Sequence, residues 1–334
     1  MTGAARYRSL GRSGFKVSRA CLGTMNFGTG ADAPCNEAEA RTMIDAFLDL
    51  GHNFIDTANV YTGGQSEEVV GRAVAGRRDK VVLATKAGLP MGKDAGARGL
   101  SRRHLVQALD DSLRRLGTDH IDLYQCHRPD PDTPIEETMD TLAGFVRAGK
   151  VRYIGCSEFS GSQIVEAQWA ASRAGGVRFT SLQPRYSLIA RGIEADILPA
   201  CVRHGLGTLT FSPLGGGLLT GKYRRGEAAQ SDTRFARSAQ SRDLVMKDRN
   251  FAILDALSEV SAGLGATPSV VAIAWCLTNE HVTSVIIGPR TMAQFRDNIA
   301  GFSLVLPPEA VAHLNAASEP EAGAPGSPPA PAIG

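Results

Sequence analysis

Short apolar runs alternate with longer amphipathic stretches along most of the chain. The apolar runs have the length of strands, and they predict strands at 20–23, 53–55, 81–85, 121–126, 152–156, 179–183, 207–211 and 284–287. The stretches between them carry apolar residues on one helical face, and they predict helices at 36–50, 66–75, 101–116, 134–148, 160–174, 193–204, 268–279 and 291–300. Eight strand–helix units in series are the repeat of a (β/α)8 barrel, or TIM barrel, so the sequence predicts an α/β fold of this type.

Three further segments stand outside this repeat. Residues 7–17 hold two short β-prone pieces, which predict an N-terminal β-hairpin; one interpretation places it at the bottom of the barrel as a plug. Residues 212–249 form a long loop after the seventh strand, and an extra helix is predicted at 250–263. Because loops of this length inside a compact domain are usually functional, this loop is a candidate binding segment.

The C-terminal part of the chain changes in composition. A final helix is predicted at 307–317, so that extra helices follow the barrel. Residues 319–334 are rich in Pro, Gly and Ala and have almost no bulky apolar residue. Such a segment buries too little apolar surface to fold, so we expect a disordered tail. The predicted organisation is a single barrel domain over residues 1–318 followed by this tail.

Composition and charge exclude several classes of partner. The 334 residues carry a formal net charge of +2 without a block of like charges, which is too mild for a nucleic-acid partner. No apolar run approaches the roughly 20 residues that span a bilayer, and the N-terminus lacks the apolar segment of a signal peptide, so no membrane partner is expected. The six cysteines are scattered without a CxxC pair, so neither a disulfide framework nor a metal site is expected. A reducing cytoplasm is the expected location.

Three predicted strands end in residues that carry charge or move protons. The second strand ends at Asp56, and Tyr61 follows five residues later; the third ends at Lys86 and the fourth at His127. The carboxyl ends of all barrel strands lie on one face, where barrel enzymes keep their chemistry. We therefore expect these four side chains to meet there.

These four residue types suit protonation of a carbonyl oxygen. A free tyrosine has a pKa near 10, and a neighbouring cation is expected to lower it. Lys86 supplies that cation, and Asp56 keeps Lys86 protonated and in place. His127 donates a hydrogen bond that orients the carbonyl group. Taken singly, each has an ordinary alternative, such as a helix cap for Asp56, a surface lysine or a core histidine; their common place at strand ends favours catalysis.

Several motifs resemble those of the aldo-keto reductases and stand in the order in which that family has them. The resemblance extends over about residues 7–317, and the long loop after the seventh strand is similar to the branch that includes potassium-channel β-subunits and many bacterial reductases. The matching motifs are Phe54-Ile55-Asp56-Thr57-Ala58 with Tyr61, Ser66-Glu67, Thr85-Lys86, Gln125-Cys126-His127, Gly155-Cys156-Ser157, Leu182-Gln183 with Tyr186, Ser212-Pro213-Leu214, Gly221-Lys222-Tyr223 and Ile287-Gly288 with Arg290.

The resemblance implies a barrel that binds a nicotinamide cofactor without a Rossmann domain. It implies that Tyr61 is the proton donor, that Lys86 and Asp56 tune this donor, and that His127 orients the substrate. The expected cofactor is NADP in its reduced form, NADPH. The implied cofactor positions are Thr24, Met25, Asp56, Ser157, Glu158, Gln183, Tyr186, Phe211, Ser212, Pro213, Leu214, Gly217, Thr220, Lys222, Arg234, Gly288, Arg290, Gln294 and Asn298.

The nicotinamide end of the cofactor is assigned by four of these positions. Ser157 and Gln183 match residues that bond the carboxamide, and Tyr186 matches an aromatic position near the nicotinamide face. Glu158 is a departure, because many relatives have Asn there. An amide donates and accepts, whereas a carboxylate only accepts, so Glu158 either accepts from the carboxamide NH2 or turns away.

The choice of NADP over NAD depends on basic residues. Arg290, Gln294 and Asn298 are spaced by four and match contacts to the adenosine end, where Arg290 is the candidate for the 2′-phosphate. Lys222 matches a contact to the pyrophosphate. Arg234 reaches the site only if the long loop folds over it.

The sequence therefore predicts an NADPH-dependent reductase of a small aldehyde or ketone. A rival from another class is an accessory subunit that senses the nicotinamide nucleotide and turns over slowly. A third interpretation, a barrel lyase or metal hydrolase, needs a ligand cluster, and none is visible in the sequence. The identity of the carbonyl substrate and the oligomeric state do not follow from the sequence.

Overall fold

Eight parallel strands close into a barrel in the computed structural model, which describes residues 6–30, 33–173, 175–223, 225 and 246–320. The strands follow one another around the barrel in chain order, and the last pairs with the first, with Val285 opposite Ala20. From first to eighth, the barrel strands are Ala20–Gly23, Phe54–Asp56, Val82–Ala87, Ile121–Cys126, Val151–Ser157, Phe179–Gln183, Gly207–Thr210 and Val282–Ile287. The predicted (β/α)8 barrel is confirmed.

Helices alternate with these strands and pack around the barrel. Local sequence sets several of their ends: Asn36 accepts the Glu39 amide at 3.0 Å, Ser101 accepts the His104 amide at 3.4 Å, and Gly117 ends its helix with a φ of 61°. The helices are Glu37–Asp49, Gln65–Val74, Arg102–Leu116, Ile135–Arg147, Gly161–Arg173, Ile197–His204, Asp248–Leu264, Pro268–Thr278, Met292–Ala300 and Pro308–Ala317.

The predicted helix at 193–204 is shorter in the structure. A separate 3-10 turn, Gly192–Glu194, precedes the helix that begins at Ile197. The break falls at Asp196, whose carboxylate accepts the Gly161 amide at the start of a neighbouring helix, at 2.9 Å. A side chain that bonds a distant backbone amide draws its own residue away from helical geometry, and the local pattern does not contain this contact.

Two small sheets accompany the barrel. Tyr7–Ser9 and Lys16–Ser18 pair antiparallel, which confirms the predicted N-terminal hairpin. Phe27–Gly28 and Cys35–Asn36 pair in parallel. Strands of two residues are too short for a periodic signal, which is why the sequence pattern did not indicate the second sheet.

The hairpin closes the end of the barrel at which the strands begin. Leu10 and Val17 are fully buried, and they share one apolar cluster with Phe54 and Val82, the first residues of the second and third barrel strands. Asp56 ends the second strand at the opposite face. The closed end therefore contributes apolar packing, and the polar strand ends are left to the other face.

The loop after the seventh strand is described in part. It begins with a 3-10 turn, Gly215–Thr220, and leads to the helix Asp248–Leu264, close to the extra helix that the sequence predicts. Of the predicted loop, residues 224 and 226–245 lie outside the described residues. The predicted tail lies outside them as well, from residue 321 onward.

The last helix packs back onto the outer core of the barrel. Leu314 is fully buried, and the Trp275 indole donates to Asn315 Oδ1 at 2.9 Å. Among the described helices, none alone is long and apolar enough to cross a membrane. Together, Asp248–Leu264 and Pro268–Thr278 have the length and composition of a span, but the pair is bent by 100°.

Shortening a buried side chain of the N-terminal hairpin should destabilise the barrel. Leu10→Ala removes a buried side chain at the closed end, and we expect the free energy of unfolding to fall by about 2–5 kcal/mol. Val305→Ala is the control, because Val305 is 76% exposed. It should change that free energy by less than about 0.5 kcal/mol. Urea unfolding measures both variants, and equal small losses would show that Leu10 does not stabilise the closed end.

Candidate active site

The buried amine of Lys86 joins the ends of the second and third strands. Its Nζ donates to Asp56 Oδ2 at 2.5 Å, to the Thr57 carbonyl at 3.0 Å and to the Tyr61 hydroxyl at 3.1 Å. Lys86 is fully buried and Asp56 nearly so, so these three oxygens take the place of water around the ammonium. The structure thus brings Asp56, Tyr61 and Lys86 together on one face.

The second oxygen of Asp56 is held by amides from the fourth and sixth strands. Gln125 Nε2 donates to Oδ1 at 3.1 Å, and Gln183 Nε2 donates to it at 2.9 Å. Because a carboxylate only accepts, both glutamines turn their NH2 groups toward it. Gln125 had no role assigned from the sequence. It lies two residues before His127, however, and side chains at that spacing in a strand point to the same face.

His127 lies beside the proton-donor candidate. Its ring meets the Tyr61 ring edge-on, with the centroids 5.7 Å apart. Its Nδ1 is buried and has no hydrogen-bond partner among the described residues. Burial, and then the charges of Lys86 and Arg128, lower the pKa of His127 well below its usual value. The imidazole is therefore neutral, with donor capacity for a ligand.

Burial and charge act in opposite directions on Tyr61. Burial raises the pKa of the phenol and outweighs the neighbouring Lys86 ammonium, which acts to lower it, so the pKa lies above its usual value. The net lowering that the sequence led us to expect is therefore wrong, and Tyr61 is a neutral phenol at pH 7. Burial also acts to lower the pKa of Lys86, but Asp56 and Tyr61 raise it to about 12.

A buried serine ties the helix that follows the Tyr61 turn to the first two strands. Ser66 Oγ donates to the Thr24 carbonyl at 2.8 Å and lies 2.9 Å from the Thr57 hydroxyl. The Thr24 hydroxyl donates in turn to the Asp56 carbonyl at 3.1 Å. Thr24 therefore acts inside the protein, as a support for the end of the second strand.

A buried ion pair involving Glu67 ties the same helix to the third strand. Glu67 is fully buried, and it accepts from the Thr85 hydroxyl at 2.6 Å and from the Arg115 guanidinium at 2.7 Å. Thr85 directly precedes Lys86. The motif Ser66-Glu67 was noticed in the sequence, but the partners of both residues come from elements far along the chain.

Three of the four positions assigned to the nicotinamide end, Ser157, Glu158 and Gln183, lie near this network. Ser157 Oγ donates to the Gln183 carbonyl at 2.8 Å, beside the glutamine amide that bonds Asp56. Glu158 has a positive φ of 60°, and its carboxylate accepts the Arg185 amide at 3.3 Å. Of the two options for Glu158, the structure shows the carboxylate in a contact with the protein backbone.

The Tyr186 side chain points away from the open face of the barrel. Its ring stacks on Trp275 with the centroids 5.2 Å apart, and its hydroxyl donates to Glu194 at 2.7 Å and accepts from Asn279 at 3.2 Å. The expected position of Tyr186 near the nicotinamide is corrected, because its side chain packs in the outer core. Phe211 is half-buried and packs against the cluster inside the barrel.

The loop after the seventh strand turns through left-handed backbone. Ser212 has a φ of 56°, and the three residues Gly215–Gly217 have φ values of 56°, 69° and 102°. A Cβ at Gly217 would lie 3.3 Å from Lys222 Nζ, so the amine of Lys222 lies directly over the Gly217 backbone, with no side chain between them. The Thr220 hydroxyl donates to the Gly217 carbonyl at 2.8 Å and holds the turn. Glycine backbone beneath a cation fits a phosphate group.

The adenosine end was assigned to a helix that starts within one residue of its predicted position. The helix begins at Met292, so Arg290 precedes it, and the Arg290 amide donates to Gln294 Oε1 at 2.9 Å. Asn298 is buried in its last turn. The Met292 amide donates to the Glu39 carboxylate at 3.0 Å, a contact from another helix that the sequence analysis missed.

The remaining predicted positions have different surroundings. Met25 is 36% exposed after the first strand. Pro213 is buried, and Leu214 packs against the outer core. The Gly288 carbonyl accepts from a side-chain amide. Arg234 lies outside the described residues.

A comparison with known families assigns this arrangement. The model of the aldo/keto reductase family matches residues 19–319. The chain belongs to the aldo/keto reductase family. The resemblance drawn from the motifs is confirmed, and membership supports oxidoreduction as the general chemistry. It also supports NAD(P)H as the class of cofactor and small carbonyl compounds as the class of substrate.

Relatives of this aldo/keto reductase carry two kinds of name. YrpG of Bacillus subtilis (strain 168), an uncharacterized oxidoreductase, is 41% identical over 320 residues, which are 92% of this chain and 94% of YrpG. A probable voltage-gated potassium channel subunit beta of Arabidopsis thaliana is 39% identical over 311 residues, or 90% of this chain and 92% of that protein. A putative subunit of the same kind from Schizosaccharomyces pombe is 33% identical over 306 residues, or 90% and 88%.

Asp56→Asn tests the buried pair through the pH dependence of stability. In the wild type, the pKa of Lys86 is raised to about 12, so its contribution to stability is present at neutral pH and is lost as the pH rises toward that value. In the variant the buried amine lacks its carboxylate, and burial should hold its pKa below the unfolded value. Stability should then be about 3–5 kcal/mol lower at pH 7. It should recover as the pH rises toward about 10.4.

The control for this comparison is Asp140→Asn, which breaks the exposed pair with Arg102. An exposed pair contributes at most about 1 kcal/mol, so this variant should follow the wild type at every pH. Urea unfolding midpoints between neutral pH and the pKa of free lysine measure all three proteins. A constant difference between Asp56→Asn and the wild type would show that Asp56 does not hold the charge of Lys86.

Proposed function

We propose that this protein reduces an aldehyde or a ketone to an alcohol with NADPH. The observation that carries the proposal is the Lys86 ammonium, which lies 2.5 Å from the Asp56 carboxylate and 3.1 Å from the Tyr61 hydroxyl at the open face of the barrel. NADPH, when bound, supplies a hydride to the carbonyl carbon. Tyr61 donates the proton that the carbonyl oxygen takes up.

The surroundings of Tyr61 suit this role as an acid. Its phenol is neutral at pH 7 and so holds the proton until the oxygen becomes negative. Lys86 then stabilises the phenolate that remains, and Asp56 keeps Lys86 charged. His127 is neutral and buried beside the Tyr61 ring, where an imidazole N–H can donate to the same carbonyl oxygen and fix its orientation.

The cofactor is assigned to the residues around this set. Because the Gln183 NH2 group donates to Asp56, the Gln183 side-chain oxygen is left to accept from the NH2 group of the nicotinamide carboxamide. Lys222 above Gly217 faces the pyrophosphate. Arg290 binds the 2′-phosphate with a guanidinium fork, which is the reason for proposing NADP over NAD.

We place the protein in the cytoplasm. Its six cysteines are all buried as free thiols. A reducing compartment keeps thiols in this state.

A second candidate function is a nucleotide-sensing accessory subunit with slow turnover. The relatives named as potassium channel β-subunits, at 39% and 33% identity, favour it. Loss of NADPH absorbance with 4-nitrobenzaldehyde separates the two. Sustained turnover at about 1 per second or faster supports the reductase. Oxidation that stops near one NADPH per protein, or that continues far more slowly than this rate, supports the accessory subunit.

Tyr61→Phe keeps the ring and removes the donated proton. We expect carbonyl reduction to fall at least about 100-fold, the range for a lost general acid. The dissociation constant for NADPH should stay nearly unchanged. Tyr7→Phe is the control, because its hydroxyl bonds the Gly51 carbonyl at the closed end of the barrel. If Tyr61→Phe turned over like Tyr7→Phe, Tyr61 would not be the proton donor.

Arg290→Ala tests the choice of NADP. We expect NADPH binding to weaken by about 1.5–3 kcal/mol, the range for a charged hydrogen bond, and NADH binding to change little. Arg296→Ala is the control, because Arg296 is exposed on the helix that follows Arg290. Fluorescence quenching gives both dissociation constants. Equal losses for the two cofactors would contradict a contact between Arg290 and the 2′-phosphate.

A further inference from the structure

The residue after Tyr61 has an unusual backbone. Thr62 has φ 51° and ψ 39°, in the left-handed region, where a β-branched residue is strained. Glu158 and Ser212, the other non-glycine residues with positive φ in the described parts of the chain, also follow residues assigned to the site. Thr62 alone among these three is β-branched, so its conformation is the least favourable.

The side chain of Thr62 joins the Tyr61 turn to the loop after the first strand. Its hydroxyl donates to the Phe27 carbonyl at 2.7 Å. A Cβ at Gly28 would lie 3.0 Å from the Thr62 methyl, so the two segments approach closely because Gly28 has no side chain. The Met25 carbonyl lies 3.5 Å from the same hydroxyl, which is too long for a second strong bond.

A second contact runs parallel to the first. Gln65 Oε1 accepts from the amide and from the hydroxyl of Thr29, each at 2.9 Å. The Thr62–Phe27 and Gln65–Thr29 bonds together are called the clamp below. The clamp holds the turn Tyr61–Gly64 against the loop that begins at Met25. The Met25 side chain is 36% exposed.

Strained backbone persists only where the surroundings over-determine it. Here the clamp supplies that restraint, since release of the Thr62 hydroxyl would let the backbone relax and would turn the preceding residue. The preceding residue is Tyr61, whose hydroxyl lies 3.1 Å from Lys86 Nζ. A glycine at position 62 would satisfy the backbone without strain, but it would have no hydroxyl for the Phe27 carbonyl.

We propose that Thr62 is a positioning residue, which sets the Tyr61 hydroxyl against Lys86 and couples that setting to the loop that carries Met25. This inference rests on the proposed reduction of a carbonyl group by Tyr61. The hydroxyl of Thr62 is the group that acts, through its bond to the Phe27 carbonyl. Displacement of the donor by a fraction of an ångström lowers the rate of proton transfer without removing any group that binds NADPH.

Thr62→Ser and Thr62→Ala test this directly, because they differ from each other by one oxygen atom. Thr62→Ala should lower kcat with 4-nitrobenzaldehyde about tenfold, with little change in KM or in the NADPH dissociation constant. Thr62→Ser should keep kcat within about twofold of the wild type. Thr42→Ala is the matched control, since it removes an exposed hydroxyl that donates to the Ala38 carbonyl at 3.0 Å. It should leave kcat unchanged.

Two readouts separate positioning from a loss of stability. If Tyr61 moves away from Lys86, the pKa of its phenol rises, so the alkaline limb of kcat should shift to higher pH in Thr62→Ala and stay in place in Thr62→Ser. Crystal structures of both variants give the Tyr61–Lys86 distance without turnover, and a displacement of at least about 0.5 Å is expected in the alanine variant alone.

The outcomes distinguish this inference from the proposed function. An active wild type with equal kcat, pH limb and Tyr61 position in the two variants overturns the role of Thr62 and leaves the reductase intact. A wild type without sustained turnover overturns the reductase, and the crystal structures still decide whether the Thr62 hydroxyl sets the position of Tyr61.

Discussion

The open face of the barrel depends on one buried ammonium. An isolated charge in a protein interior is costly, and removal of one partner from a buried pair is strongly destabilising. Lys86 is therefore surrounded by oxygens from the end of the second strand and from the turn that follows it. Its partner Asp56 is satisfied in turn by Gln125 and Gln183. Four strand ends are joined in this way, so the geometry of the site follows from closure of the barrel.

In the proposed reaction, the same pair lets one tyrosine hold a proton and then release it. Burial keeps the phenol neutral, and the nearby ammonium favours the anion that forms on release. Donors fixed before the reaction stabilise developing charge without reorganisation. Relatives of this chain are named as an oxidoreductase and as channel subunits. A shared barrel therefore does not determine function, which depends on the residues of the site.

The sequence by itself determined the barrel and the place of its chemistry. Strand and helix periodicities are local, and caps such as Asn36 and Gly117 mark boundaries through neighbouring residues. Parallel strands in series have their carboxyl ends on one face, so Asp56, Lys86 and His127 could be placed together without coordinates. The family motifs extended this assignment to cofactor positions, which remain predictions.

The tertiary structure alone decided orientation and the balance of opposing energies. The direction of the Tyr186 side chain depends on Trp275, a contact between residues far apart in the chain that no local pattern contains. Glu39 meets the helix at Met292 for the same reason. The pKa of Tyr61 is shifted upward, opposite to the expected direction. Desolvation depends on all the atoms that bury the phenol, whereas the sequence shows only that a lysine is available. Composition and spacing identify which groups can meet. Packing determines the direction of each side chain and whether burial or charge has the larger effect on a pKa.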